Sequence, residues 1–151
     1  MPHRDIFSRI LFCTDFNTDA TQAFRYALNI AQGNKNSELI IYHAIPEPEA
    51  QFWKSYIYEV DDVDNKARRD IDKKIADVYL PQIPPGQNYS SRFDTGNVGE
   101  KILKTAAEVD ANIIIIGRGA GSNMINRMLG NFTEKVIRKA HCPVLVVPEE
   151  E

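Results

Sequence analysis

The stretch Ile113–Pro148, IIIIGRGAGSNMINRMLGNFTEKVIRKAHCPVLVVP, decides how this chain folds. An apolar run, Ile113–Ile116, stops abruptly at Gly117-Arg118-Gly119-Ala120-Gly121-Ser122. Gly130 then precedes an amphipathic segment, and a second apolar run, Pro143–Val147, closes the stretch. Strand, glycine loop, helix, strand is the order in which an open α/β protein presents backbone N–H groups to a phosphate.

The same alternation extends back to the N-terminus. Ile10–Thr14 is short, apolar and bounded by turn residues, which predicts strand one. Ala20, Ala23, Phe24, Ala27, Leu28 and Ala31 recur at helical spacing, with Asn17 or Thr18 as cap and Gly33-Asn34 as terminator. Leu39–Ile45 reads as strand two, closed by Pro46-Glu47-Pro48. Glu49–Glu59, with Phe52, Trp53, Tyr56 and Tyr58, has no clear period and reads as a loop or irregular helix.

Val60, Val63, Ala67, Ile71, Ile75 and Val78 form the next helical stripe. Asp62–Lys66, Asp64–Arg68 and Asp70–Lys74 sit four apart on its polar side. The interleaved aspartates make Arg68-Arg69 and Lys73-Lys74 a solvated helix face rather than a nucleic-acid patch. Asn88–Thr95 alternates as strand three, and Asn97 with Glu100 resembles a capping box. Val98, Ile102, Leu103, Ala106 and Val109 make that helix's apolar face. Asn112–Ile116 is strand four, Thr133–Ala140 the main part of helix four with Asn131 as N-cap, and Pro143–Val147 strand five.

Strict β-α alternation predicts a doubly wound five-stranded parallel sheet with helices on both faces. The expected strand order is 3-2-1-4-5. Strands two, four and five read as apolar enough to be buried on both faces. No linker, repeat or low-complexity block interrupts the chain, so residues 1–151 are read as one domain. A net charge of −3 argues against a broad nucleic-acid footprint. No apolar run reaches the ~20 residues of a membrane span, and Ile10–Cys13 is too short for a signal peptide. The expected location is cytoplasmic, with no membrane partner. Cys13 and Cys142 read as buried free thiols, and His3, His43 and His141 have no metal-ligand spacing. His43 ends a strand and reads as a hydrogen-bonded structural residue rather than a ligand.

In a doubly wound sheet, ligands bind beyond the carboxyl ends of the strands, where the strand order reverses. That rule puts Thr14-Asp15, ending strand one, beside Gly117, ending strand four. The glycine loop fits neither GxxxxGK[ST] nor a dinucleotide fingerprint, which belongs after the first strand. A flexible connection is the alternative for the loop. The alternative for Asp15 is a charge at a helix N-terminus.

Several segments resemble the universal stress protein family. They are Ile10–Phe16 (ILFCTDF), the HAIPEP stretch from His43, Asp94–Ile102 and, above all, Leu129–Pro148, which is similar to the family's C-terminal signature. The resemblance spans the chain except Glu49–Glu59. In the family's nucleotide-binding branch the motif is Gly, two residues, Gly, nine residues, Gly, then Ser or Thr. Here those positions are Gly117, Ala120, Gly130 and Asn131, so two of the four depart from it. Gly119 and Gly121 flank Ala120, Phe132 and Thr133 follow Asn131, and Ser122 and Thr133 are nearby hydroxyls.

The resemblance implies that Asp15 faces an adenosine, with Ala44 lining the base pocket and Ile116 and Gly117 forming its other wall. It also implies ATP or AMP as ligand, with Mg²⁺ accompanying ATP, and a homodimer through Pro143, Val144, Leu145, Val146 and Val147. Arg118 and Arg127 are either phosphate-side charges or solvated surface residues. The expected role is a nucleotide-dependent switch or sensor, without catalytic residues and at most with slow ATP hydrolysis. Within the family, Ala120 and Asn131 favour an alternative: a protein that binds no nucleotide and works by dimerising or docking. A phosphoacceptor receiver domain, taken to share this strand order, is a further rival, invited by Asp94.

Overall fold

The computed structural model describes residues 6–16, 18–46, 60–118 and 130–148. In chain order these form β1 (Arg9–Cys13), α1 (Thr18–Gln32), β2 (Glu38–Pro46), α2 (Val60–Val78), a 3-10 turn (Leu80–Gln82), β3 (Asn88–Gly96), α3 (Val98–Glu108), β4 (Ile113–Gly117), α4 (Gly130–Lys139) and β5 (Val144–Val147). The irregular Glu49–Glu59 region and the glycine loop after Arg118 lie outside the described residues.

All four strand pairings are parallel and the order is β3-β2-β1-β4-β5, as the alternation predicts. Parallel neighbours require crossovers, and the helices supply them on the two faces. On one face α1 and α2 cover Ile10, Phe12, Leu39, Ile41, Ile113 and Ile115 with Ala20, Ala23, Phe24, Ala27, Ile71 and Ile75. On the other, Ile102 and Ala106 of α3 and Val136 of α4 cover Leu11, Ile40, Tyr42, Ile114 and Ile116. β4 is buried along its whole length, which is why its sequence is an unbroken isoleucine run.

Alanines on the inner stripe of α1 let it approach β4 and β1 closely, while Phe24 fills the space beside Phe12 (centroids 5.2 Å apart). Burying Ile71 and Ile75 fixes α2, at about 1.5–3 kcal/mol for each side chain. Asn97 caps α3: its side-chain oxygen accepts from the Glu100 N–H at 3.1 Å. The reciprocal half of the box is not made, because the Glu100 carboxylate reaches Lys135 of α4 instead (3.2 Å).

Four local expectations change. Cys13 is buried as expected, but Cys142 is only half-buried. Val78 is exposed, and Tyr79, which continues the four-residue spacing of Ile71 and Ile75, is the fully buried residue that ends the stripe. β5 is half-buried through Val146 rather than covered on both faces, since it is the edge strand and pairs only with β4. Helix α4 starts at Gly130, so Asn131 stands within its first turn instead of capping it.

Candidate functional site

A helix joining two parallel strands runs back against them, so α1, α3 and α4 all begin at the carboxyl end of the sheet. The strand register fixes what meets there. Cys13 pairs with Tyr42 on one side and with Ile116 on the other. Thr14 and Asp15 therefore come level with His43-Ala44 and with Gly117. Thr14, Asp15, Ala44, Ile116 and Gly117 gather around the β1/β4 gap, where the strand order reverses.

Thr14 carries on the β1 ladder with its N–H donated to the Tyr42 carbonyl (2.8 Å). Its hydroxyl is hydrogen-bonded to the Tyr79 hydroxyl and accepts the Phe16 N–H at 2.8 Å. Its carbonyl lies 2.7 Å from His43 Nδ1. A carbonyl can only accept, so Nδ1 carries the proton in that contact. Phe16 has φ 64°, and its ring packs on His43 (4.9 Å) and Tyr79 (6.0 Å), with the Lys74 ammonium 5.2 Å from its centroid. Asp15, between these two clamped residues, is half-buried. Burial pushes the Tyr79 phenol up to about 12; the Thr14 hydrogen bond opposes that rise and the Asp15 charge adds to it.

On the α3/α4 face, Ala44 and Ile116 are small or apolar and nearly covered. Beside Ala44 in the β2–β3 register stands Asp94, whose Oδ2 accepts from the Tyr42 hydroxyl (3.0 Å) and the Thr105 hydroxyl (3.3 Å). Desolvation raises the Tyr42 phenol far above its ordinary value, so it stays a neutral donor. The strand order argues against the receiver-domain rival. Such folds run 2-1-3-4-5, whereas β3 here is an edge strand and Asp94 is held between two hydroxyls rather than at the strand-order reversal.

Of the glycine-loop region only the two flanks fall among the described residues. Gly117 is buried, and Arg118 is exposed with its N–H donated to the Val147 carbonyl (2.6 Å). Gly119, Ala120, Gly121, Ser122 and Arg127 lie outside the described residues. Gly130 and Asn131 belong to the first turn of α4. Phe132 packs into the α3/α4 layer. A Cβ on Gly99 would come within 3.4 Å of Phe132 Cβ, so the glycine sets how closely α3 and α4 approach. Thr133 is half-buried beside it. Among the described residues no three His, Cys, Asp or Glu side chains are grouped to hold a metal ion.

Sequence reasoning found the strand ends and read His43 as a hydrogen-bonded structural residue, which its contact to the Thr14 carbonyl bears out, but it missed the partners that complete the brace. Tyr79, the Phe16 ring and the Tyr42–Thr105 pair on Asp94 make contacts between distant segments. The one local signal was Tyr79's place four residues after Ile75.

A sequence model of the Universal stress protein family matches residues 7–148. Universal stress protein MJ0577 of Methanocaldococcus jannaschii is 28% identical over 155 residues, covering 94% of this chain and 95% of its own. A solved structure of MJ0577 matches with a TM-score of 0.78, over 97% of this chain and 99% of that one. Two more distant solved structures share the fold. One is a universal stress protein in complex with cAMP (21% identity, TM-score 0.60, 95% and 98% coverage). The other is an Arabidopsis thaliana family protein with AMP bound (13% identity, TM-score 0.55, 95% and 92% coverage). No helix among the described residues is long and apolar enough to cross a membrane.

Proposed function

The chain belongs to the universal stress protein family, and from that premise we propose that it binds an adenine nucleotide, ATP or AMP, at the carboxyl ends of β1, β2 and β4. One observation carries this reading: the β1/β4 reversal gathers a half-buried carboxylate, Asp15, with the small Ala44 and the side-chain-free Gly117. A carboxylate accepts from ribose hydroxyls or an exocyclic amine, and small neighbours leave room for a flat ring. The cAMP and AMP held by the two distant relatives support the same ligand class.

In this reading Asp15 holds the nucleoside, backed by Thr14, while Ala44, Ile116 and Gly117 wall the base. Gly119, Ala120, Gly121, Gly130, Asn131, Phe132 and Thr133 belong to the phosphate side. Asn131 offers an amide donor where the family motif has a hydroxyl. Mg²⁺ accompanying ATP would be held by phosphate oxygens and water. The protein acts as a switch or sensor rather than a catalyst, since the Thr14 hydroxyl and the Asp94 carboxylate are committed to fixing strand ends. It works in the cytoplasm as a homodimer, through the edge strand β5.

Calorimetric titration with ATP and with AMP tests the central claim. Wild-type protein binds at least one of them, and Asp15→Ala weakens that binding at least tenfold, which is about 1.4 kcal/mol. A wild type that releases no heat and gains no thermal stability with either nucleotide overturns the reading, because a ligand of the folded state must raise its stability.

A further inference from the structure

Among the described residues three non-glycine residues have positive φ: Phe16, Asn36 and Asp110. Asn and Asp enter this region readily, because short polar side chains can bond locally to the backbone. Asn36 and Asp110 sit just ahead of β2 and β4, at the amino end of the sheet. Phe16 is the exception in both respects. It is bulky, and it follows Asp15 at the carboxyl end. A conformation of this kind persists only when its surroundings over-determine it, and such residues cluster at ligand clamps.

The surroundings of Phe16 are specific. Its N–H is held by the Thr14 hydroxyl at 2.8 Å. Its ring lies nearly parallel to Tyr79 (30°) and tilted against His43 (59°), with Lys74 over its face. Tyr79 and His43 are both anchored to Thr14, through its hydroxyl and its carbonyl. The residue before Asp15 and the residue after it are thus locked to the same aromatic cluster. That leaves the Asp15 backbone between them little freedom.

We propose that Phe16 is the positioning residue of the nucleotide site: its ring, wedged between His43 and Tyr79, holds the left-handed backbone turn that aims Asp15 at the ligand. The proposal rests on the nucleotide reading above. A binding carboxylate delivers its full effect only when held to within about half an ångström of the productive geometry. The wedge supplies that constraint from outside the site, without touching the ligand.

A double-mutant cycle in AMP and ATP binding, read by calorimetry, tests it. Phe16→Gly keeps access to the left-handed region but deletes the wedge, and Phe16→Tyr keeps the ring. Thermal melts establish that each variant is folded at the titration temperature. Phe16→Gly is expected to weaken binding about tenfold and Phe16→Tyr less than about twofold. In the Asp15→Asn background Phe16→Gly should then cost nothing further, because a positioning residue has no one left to position. Two results overturn the proposal while leaving the nucleotide reading standing: wild-type affinity in Phe16→Gly, or the same loss with and without Asp15. A wild type that binds neither nucleotide overturns the nucleotide reading and this proposal with it.

Discussion

Replacing Tyr79 with Phe removes one oxygen from the brace behind Thr14, and its effect on stability should change sign with pH. The ring itself is retained, so the contacts to Phe24 (4.7 Å) and Phe12 (5.3 Å) survive. What is lost at neutral pH is a buried hydrogen bond between two hydroxyls. A neutral bond of that kind contributes about 1 kcal/mol net. At high pH the wild type carries a liability that the variant lacks. Its phenol titrates at 10.0 when exposed and near 12 when folded. The folded pKa is the higher one, so the stabilisation is complete below pH 10 and is lost as pH rises through 12. Unfolded chains shed the proton first, and at pH 11 that costs the wild type about 1.4 kcal/mol, rising toward roughly 3 above pH 12. The two stability curves should therefore cross just below about pH 11. Urea unfolding followed by circular dichroism at pH 8, 10 and 11 measures both proteins under matched conditions. Cys13 and Tyr42, also raised by burial, titrate in both and cancel in the difference. Equal stabilities at pH 8, or parallel losses between pH 8 and 11, would refute the reasoning.

The amino end of the sheet offers a control that separates stability from binding. Asn112 Oδ1 accepts from the Ser8 N–H, the Ser8 hydroxyl and the Arg9 N–H, at 3.1, 2.7 and 2.7 Å. Asn112→Ala should cost about 2 kcal/mol, because the site is only partly buried and water replaces some of the three bonds. Its melting temperature should fall by about 4–8 °C, with nucleotide affinity unchanged in calorimetry; weakened binding would contradict the placement of the site at the opposite end. At the open edge, Val146→Asp puts a charge on β5 and should give monomers in light scattering, whereas persistent dimers would locate the interface elsewhere.

Most of the architecture was legible because it follows from local rules. The isoleucine run of β4 and the alanine stripe of α1 each fix an element and its burial, and strict alternation then fixes a parallel sheet. The order 3-2-1-4-5 was legible too, yet treating a receiver domain as sharing it was an error. The third strand's place at the edge or in the middle changes which loops meet. Val78 was misplaced because a stripe read by spacing alone does not reveal where the chain leaves the helix, and Tyr79 sits one residue past α2. Burial of β5 was overestimated because Val144–Val147 is as apolar as a central strand. Apolar composition reports the face contacts, and the missing neighbour on one edge leaves no mark in it. In the candidate site the strand ends were visible, while the brace that connects them was not. Thr14 and Tyr79 are 65 residues apart, and no periodicity links them.

The brace explains why strain is concentrated where it is. On the α1/α2 face, Tyr79, His43 and the Phe16 N–H converge on Thr14. On the α3/α4 face, Tyr42 and Thr105 converge on Asp94. Burying hydroxyls in an otherwise apolar sheet is costly unless they are paired, and here each pairing joins a strand end to a helix or to a neighbouring strand. Such pairings add little net stability over well-packed hydrophobic side chains, but they select one geometry among many that bury the same area. The end of β1 is fixed in this way on the first face, that of β3 on the second, and that of β2 on both, through His43 and Tyr42. At the end of β4, among the described residues, the hydrogen bond is a main-chain one, from the Arg118 N–H to the Val147 carbonyl. One wall of the β1/β4 gap is thus built as a rigid surface that carries Asp15 and Ala44. Gly117 stands on the other side of that gap. Under the nucleotide reading proposed above, a rigid wall suits a base and its ribose, whose shape does not vary. Left-handed backbone at Phe16 is tolerable only on such a wall, since a compliant one would relax it away.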